Sequence, residues 1–161
     1  MSKKSKNSLR IGTDRDFNVV GWREIVALPK LKIPRIKAKV DTGAKSSALH
    51  AFNIEELTHN GKSIVRFQVH PLQKDDRTTI TTKAKLLEYR EVTNSGGQAE
   101  LRPVITTEVT IGQQTWTIDL TLTDRYQMGF RMLLGRQAIR NKFLVDSGKS
   151  FLQGEPKDKN N

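Results

Sequence analysis

The chain has 161 residues, which is enough for one domain with a buried core but too few for two full-sized lobes. Hydrophobic residues make up 35% of the chain, which excludes a disordered protein, and the absence of cysteine excludes disulfides and thiolate zinc sites. The 28 Lys and Arg outnumber the 17 Asp and Glu, giving a formal net charge of +11. This charge favours an anionic partner, which could be nucleic acid, a ribosome, anionic lipid or an acidic peptide.

The two ends of the chain are polar and predict tails. Residues 1–17 begin with a basic stretch that lacks the apolar core of a signal peptide, and residues 154–161 are equally polar. No run of the sequence approaches the roughly 18 apolar residues that a membrane span needs. We therefore expect a cytoplasmic protein with no membrane partner, with one folded domain over residues 18–153 between a basic flexible tail and a second flexible tail.

Between these ends, apolar and polar residues alternate with a period of two, which predicts β-strands. The strands are predicted, in chain order, in "VVGWREIVAL", "IKAKV", "IVRFQVH", "TTITTKAKL", "VITTEVTI" and "TWTIDLTLT". Turn signals separate them at "HNGKS", "KDDR", "NSGGQ" and "IGQQ", and Asn60-Gly61 in the first of these is a hairpin signal. The pattern predicts an all-β fold with a closed or strongly curved sheet.

Two stretches predict short helices. In "NIEELT", Asn53 and Glu56 have the spacing of a capping box, which predicts one helical turn. "GRQAIRNKF" predicts a short helix that begins just after Gly135, late in the chain.

The stretch "KAKVDTGAKSSALHA" ends a predicted strand with Asp41-Thr42-Gly43. These three residue types form ordinary turns, so a structural interpretation is available. The alternative is the active-site turn of an aspartic peptidase, in which two close carboxylates share one proton, one acting as base toward water and the other as acid. Glycine beside the aspartate permits unusual backbone angles, and a threonine hydroxyl can tie two such turns together.

A peptidase of this kind needs a second aspartate. Asp146-Ser147-Gly148 is a candidate, but too few residues follow it to wrap a second active turn, and we interpret it as a structural turn. A C2 homodimer supplies the partner instead, because it places Asp41 of each subunit at the symmetry axis.

A resemblance supports the catalytic interpretation. "MLLGRQAI", residues 132–139, is similar to the apolar pair, glycine and short helix of retropepsins, and the Gly-rich hairpin at residues 89–103 lies where their flap comes. With "VVGWREIVALPKLKI", "RPVITTEVTIG" and "FLVDSGKSFL", roughly residues 19–152 resemble a bacterial and archaeal family. Its members have been labelled ATP-dependent zinc proteases and are better described as retropepsin-like aspartic peptidases.

The resemblance implies a retropepsin-like acid-protease β-barrel with one short C-terminal helix and a homodimer across the Asp41 turn. The sequence lacks zinc-site and phosphate-loop motifs, so no cofactor is expected. It implies that Asp41 is catalytic. The residues expected to support the active turn are Thr42, Gly43, Ala44 and Arg136. Those expected to bind substrate, each of which could instead be an ordinary loop residue, are Lys45, Ser46, Ser47, Gly96 and Gly97. Some relatives are linked to ligases that add glutamates to a ribosomal protein, so the expected substrate is an acidic peptide or a glutamate-tailed protein.

The sequence also departs from the viral enzymes. Lys45 takes the place of an acidic residue that pairs there with the arginine of the late Gly-Arg, so Lys45 and Arg136 cannot form that ion pair. His50, His59 and His70 have no zinc-site spacing. The absence of an Arg-rich run or an aromatic stacking motif disfavours nucleic acid. Two alternatives stay open: a non-catalytic basic β-barrel that binds ribosome or RNA, and a zinc-dependent protease.

Overall fold

A computed structural model describes residues 8–11, 15–94, 96–125 and 129–157. Within these ranges a short 3-10 helix (Pro29–Leu31) follows the third strand, and twelve strands and one α-helix form the rest of the regular structure. Their bounds are β1 (Ser8–Ile11), β2 (Arg15–Val20), β3 (Arg23–Leu28), β4 (Ile33–Asp41), β5 (Ser47–His50), β6 (Phe52–His59), β7 (Lys62–Val69), β8 (Ile80–Thr93), β9 (Ala99–Ile111), β10 (Gln114–Thr123), β11 (Met132–Gly135), α1 (Arg136–Ile139) and β12 (Phe143–Val145). The predicted all-β fold with one short helix late in the chain is confirmed.

Nine strands form the main sheet, in the order β10-β5-β11-β4-β3-β9-β8-β7-β6. Because β10 also pairs with β9, the first six strands of this order close into a ring. The strands β8, β7 and β6 extend the sheet beyond the ring, and β1, β2 and β12 form a separate small sheet. Two parallel pairings matter for the site: β11 lies beside β4, and β12 lies beside β2.

The period-two pattern is the physical basis of the core. In β10 the side chains of Ile118, Leu120 and Leu122 are buried, and in β7 Val65 and Phe67 are buried too. Burying an apolar side chain of this size contributes about 1.5–3 kcal/mol to folding. The alternation therefore fixes which face of each strand turns inward, and with it the register of the strands.

One predicted helix is wrong. "NIEELT" lies in strand β6, which pairs with β7 in antiparallel register. Asn60 and Gly61 both have positive φ, 52° and 76°, as a two-residue hairpin turn requires, and this turn holds β6 against β7. Asn53 has a φ of 52° at a register shift of the pair, so it bends a strand and does not cap a helix.

Regular structure extends beyond the predicted domain boundaries. Strand β1 and the first part of β2 lie in the segment expected to be a basic tail. There β1 pairs with β2, and β2 pairs with β12. At the other end, Glu155 forms an ion pair with Arg35 at 2.8 Å, and the Lys157 amide donates to the Gly112 carbonyl. The tail predictions for residues 1–7, 12–14 and 158–161 lie outside the described residues. None of the helices in the described ranges is long and apolar enough to cross a bilayer.

Candidate active site

Asp41 is the last residue of β4, where the chain leaves the sheet in a tight turn. Its Oδ1 accepts a hydrogen bond from the Gly43 amide at 2.9 Å, and its carbonyl accepts one from Ala44 at 3.2 Å. Such a side-chain-to-backbone bond is the usual way in which an aspartate stabilises its own turn. Asp41 is half-buried, whereas Thr42 and Gly43 are exposed, so the turn lies at the protein surface.

The geometry of this turn depends on Gly135, which pairs with Asp41 across the parallel strands β11 and β4. A Cβ atom on Gly135 would lie 2.5 Å from the Ser46 carbonyl oxygen and 2.9 Å from that of Ala44. No side chain fits in that space, so the loop after Asp41 crosses β11 in backbone contact. The "LLGR" stretch and the Asp41 turn, far apart in sequence, are therefore one structural unit.

Hydrogen bonds fix this crossing on both sides. The Gly135 amide donates to Ser47 Oγ at 3.1 Å, and the Arg136 amide donates to the Ala44 carbonyl at 2.8 Å. The Gln137 amide donates to the Lys45 carbonyl at 3.2 Å. Ser47 is buried and its hydroxyl is engaged by Gly135, so the structure places it as an anchor of the loop.

The Arg136 side chain also contacts the turn. Its Nη1 lies 3.4 Å from the Thr42 carbonyl oxygen and 3.3 Å from that of Gly43, and it donates to both. In place of the ion pair that Lys45 excludes, the guanidinium binds backbone oxygens. Thr42, Gly43, Ala44 and Arg136 are thus brought together around Asp41.

A cleft of about 720 Å³ lies between the loop after Asp41 and the hairpin formed by β8 and β9. Its lining residues are Gly43, Ala44, Lys45, Ser46, Arg90, Glu91, Val92, Thr93, Arg102, Asp119, Thr121 and Gln137. A smaller pocket of about 370 Å³ adjoins it and shares Ser46, Arg90, Asp119 and Gln137. The predicted substrate residues Lys45 and Ser46 therefore border a groove of a size suited to a peptide.

The hairpin over this cleft is held at its tip and at the start of β9, beside the tip. At the tip, Asn94 Oδ1 accepts hydrogen bonds from the Gly96 and Gln98 amides, both at 3.0 Å, and Gly97 has a φ of 83°. At the start of β9, the Glu100 carboxylate accepts a hydrogen bond from Thr123 Oγ1 at 3.1 Å, which ties the hairpin to the end of β10. Gly96 and Gly97 lie at the tip and are not among the residues that line the cleft.

The Asp146 turn has the same construction as the Asp41 turn. The Gly148 amide donates to Asp146 Oδ1 at 3.0 Å, and the Lys149 amide donates to the Asp146 carbonyl at 3.2 Å. Here Gly21 makes the close crossing, because a Cβ atom on it would overlap the Lys149 carbonyl, and the next amide, that of Trp22, donates to that carbonyl at 2.8 Å. In the described structure no hydrogen bond joins Asp41 to Asp146.

Sequence reasoning missed Glu24, which is fully buried in β3. Its carboxylate accepts hydrogen bonds from three backbone amides: Gly21 at 2.7 Å, Leu152 at 2.8 Å and Gln153 at 3.0 Å. A buried carboxylate needs partners of this kind to offset the loss of water. The available signal was its position on the inward face of "VVGWREIVAL", in line with Trp22, Val26 and Leu28.

The histidines lie elsewhere. His50 and His70 flank the Phe52 ring near the buried guanidinium of Arg131. Burial, followed by the charge of Arg131, lowers the pKa of the His50 imidazole. Over the described ranges no three His, Asp or Glu side chains are grouped as a metal site would require.

Comparison with known proteins gives three findings. Residues 19–156 match the family model RimB-like, described as retropepsin-like aspartic endopeptidase RimB. A protein from Shewanella pealeana named probable alpha-L-glutamate ligase is 41% identical over 91% of this chain. A protein of the same name from Desulfotalea psychrophila is 42% identical over 85% of this chain. The chain spans only about a third of these relatives, 32% and 30% of their length. A solved Legionella pneumophila structure of unknown function is similar with a TM-score of 0.71 and 29% identity, covering 84% of this chain and 97% of that one.

Proposed function

The chain belongs to the RimB-like family of retropepsin-like aspartic endopeptidases, and from this premise we propose that it is an aspartic peptidase that acts as a homodimer on acidic peptides. The observation that carries the proposal is the Asp41 turn, which Gly135 and Arg136 clamp at the border of a peptide-sized cleft. In this proposal the closed ring of strands is the acid-protease β-barrel.

The dimer supplies the second carboxylate. Because Thr42 and Gly43 are exposed in the single chain, the turn is available to meet its symmetry mate across a two-fold axis. Asp41 of each subunit then forms half of the dyad, and the Thr42 hydroxyls tie the two turns together. The β8–β9 hairpin closes over the bound peptide, with Gly96 and Gly97 allowing its tip to bend.

The chemistry follows from two carboxyls that share one proton. The ionised carboxylate takes a proton from water as the water oxygen bonds to the peptide carbonyl carbon, and the protonated carboxyl gives its proton to the carbonyl oxygen. When the resulting diol collapses, the carbon–nitrogen bond breaks. The first carboxyl passes its proton to the leaving amine, and a diol hydroxyl returns a proton to the second, which restores the starting state.

The proposed substrate is an oligoglutamate or other acidic segment. The cleft and the pocket beside it are lined by four cationic side chains, Lys45, Arg90, Arg102 and Lys142, and two acidic ones, Glu91 and Asp119. In addition, a region similar to this chain makes up about a third of proteins named glutamate ligases. A peptidase that removes glutamates is a chemically reasonable companion for a ligase that adds them.

The test compares the same substitution in the two similar turns. Asp41→Asn keeps an oxygen that can accept the Gly43 amide, so the turn persists, but cleavage of an oligoglutamate peptide, followed by mass spectrometry, should be lost. The matched control Asp146→Asn should cleave at the wild-type rate.

Other outcomes separate the alternatives. A species of strictly monomeric mass that still cleaves would contradict the symmetric dyad. Loss of activity with EDTA would support a zinc-dependent protease. No cleavage of any peptide, together with salt-sensitive RNA binding, would support a non-catalytic binding module.

A further inference from the structure

The smaller pocket adjoins the cleft at Ser46 and is lined by residues of β10 and of the segment after Gly135. One wall is the Trp116 ring, which is fixed because its Nε1 donates to the Ala138 carbonyl at 3.1 Å and the ring packs on Phe143 at 5.6 Å between centroids. Gln137 and Ser46 supply polar groups at the boundary with the main cleft. The pocket therefore has a rigid apolar wall and a polar entrance.

Two cationic side chains, Arg90 and Lys142, line this pocket, and Lys142 lies against the Trp116 ring. Lys142 is half-buried, and its Nζ lies 5.2 Å from the centroid of the Trp116 ring. No carboxylate in the described part of the chain forms an ion pair with Lys142. Its charge is thus available to a ligand, and the Trp116 face holds it in position.

The remaining charges of the pocket offset each other. Asp119 is the acidic residue of the lining, and Arg90 Nη2 lies 3.8 Å from its Oδ2. Arg90 is also engaged by Glu88, to which its Nε donates at 2.8 Å. Lys142 is therefore the charge that decides which ligands this pocket favours.

We propose that the Trp116–Lys142 pocket is a specificity site for a glutamate side chain of the substrate, several residues from the bond that is cleaved. The methylene stem of the glutamate packs on the Trp116 ring, and its carboxylate pairs with Lys142. An extended peptide advances about 3.3 Å per residue, so a chain lying along the main cleft reaches past Ser46 within a few residues. The inference rests on the proposed peptidase function and adds to it a site that selects acidic tails by length as well as by charge.

The main test separates binding from chemistry. Lys142→Gln should raise KM for an oligoglutamate peptide about fivefold and leave kcat unchanged, because it removes one partly exposed ion pair away from the reacting bond. A peptide with glutamine in place of the distal glutamates should show no difference between the two enzymes. The control Lys85→Gln removes the same charge from an exposed position of β8 outside both cavities and should behave as wild type.

A second measurement does not depend on cleavage. In the Asp41→Asn protein, titration with oligoglutamate should change the fluorescence of Trp116, a change that Trp116→Phe abolishes and Lys142→Gln shifts to higher peptide concentration. If Lys142→Gln cleaves the peptide with an unchanged KM, the inference about the pocket is overturned and the proposed peptidase function is not. Absence of cleavage by the wild type would overturn the proposed function. The fluorescence titration would then test the pocket alone, and a titration that Lys142→Gln does not shift would overturn the inference.

Discussion

Replacing Gly135 with alanine tests whether the strand crossing positions the candidate catalytic aspartate. The added Cβ would lie 2.5 Å from the Ser46 carbonyl oxygen, and an ordinary contact begins near 3.4 Å. The loop and strand β11 must therefore separate by roughly 0.9 Å, since close-packed interiors leave no room for the methyl group. That shift stretches the hydrogen bond from the Arg136 amide to the Ala44 carbonyl, now 2.8 Å, beyond the hydrogen-bonding range.

The expected cost has two parts. Overpacking at a site of this kind costs about 1–3 kcal/mol. Loss of one or two backbone hydrogen bonds adds about 1 kcal/mol each. We expect Gly135→Ala to lower the free energy of unfolding by about 2–5 kcal/mol, at the upper end for single substitutions. A misplacement of about 1 Å at the Asp41 turn should also reduce kcat of the folded protein by about a hundredfold.

The assay is urea unfolding followed by far-ultraviolet circular dichroism, combined with kcat for oligoglutamate cleavage corrected for the folded fraction. Gly148→Ala is the control, because its Cβ would meet only Asp146 Oδ1 at an ordinary 3.5 Å. That variant should lie within about 0.5 kcal/mol of the wild type. If Gly135→Ala were as stable and as active as Gly148→Ala, the crossing would not position Asp41, and the reasoning would be refuted.

Two further predictions concern stability. Glu24→Ala removes the acceptor of the buried Gly21 amide and of the part-buried Leu152 and Gln153 amides, so it should cost about 3 kcal/mol or more in urea unfolding. A loss below about 1 kcal/mol would contradict this role. Because the pKa of His50 is lower in the folded than in the unfolded protein, its contribution to stability is fully present above about pH 6.5 and is lost as the pH falls through the folded value. His50→Asn should flatten the fall in unfolding free energy that the wild type shows between about pH 7.5 and pH 5; an unchanged slope would assign the fall to other groups.

The local parts of the fold could be predicted from the sequence because local patterns encode them. The alternation in "TWTIDLTLT" predicts which side of β10 turns inward. Asn60-Gly61 predicts the hairpin between β6 and β7, because both residues adopt the positive φ that its turn requires. The helix after Gly135 was also predictable. The link between the Asp41 turn and "LLGR" came from a resemblance, because no local rule states that Gly135 must lie against Ser46.

What could not be predicted depends on partners distant in sequence. The capping-box spacing of Asn53 and Glu56 favours a helix locally, but pairing with β7 outweighs a preference of this size. Strand β1 pairs through backbone groups, which any sequence possesses. Glu24 was visible as a charged residue on an inward face, but its acceptor role toward Leu152 depends on a segment 128 positions later.

The bonds that Glu24 makes have a consequence for how the protein is synthesised. The Glu24 carboxylate is translated early and stays hydrated until residues 152 and 153, which supply two of its three donors, have left the ribosome. Contacts between such distant segments slow folding and delay its completion. The domain is therefore expected to complete its folding only after residue 153 has left the ribosome, and a truncation before Leu152 would remove two of the three donors to Glu24.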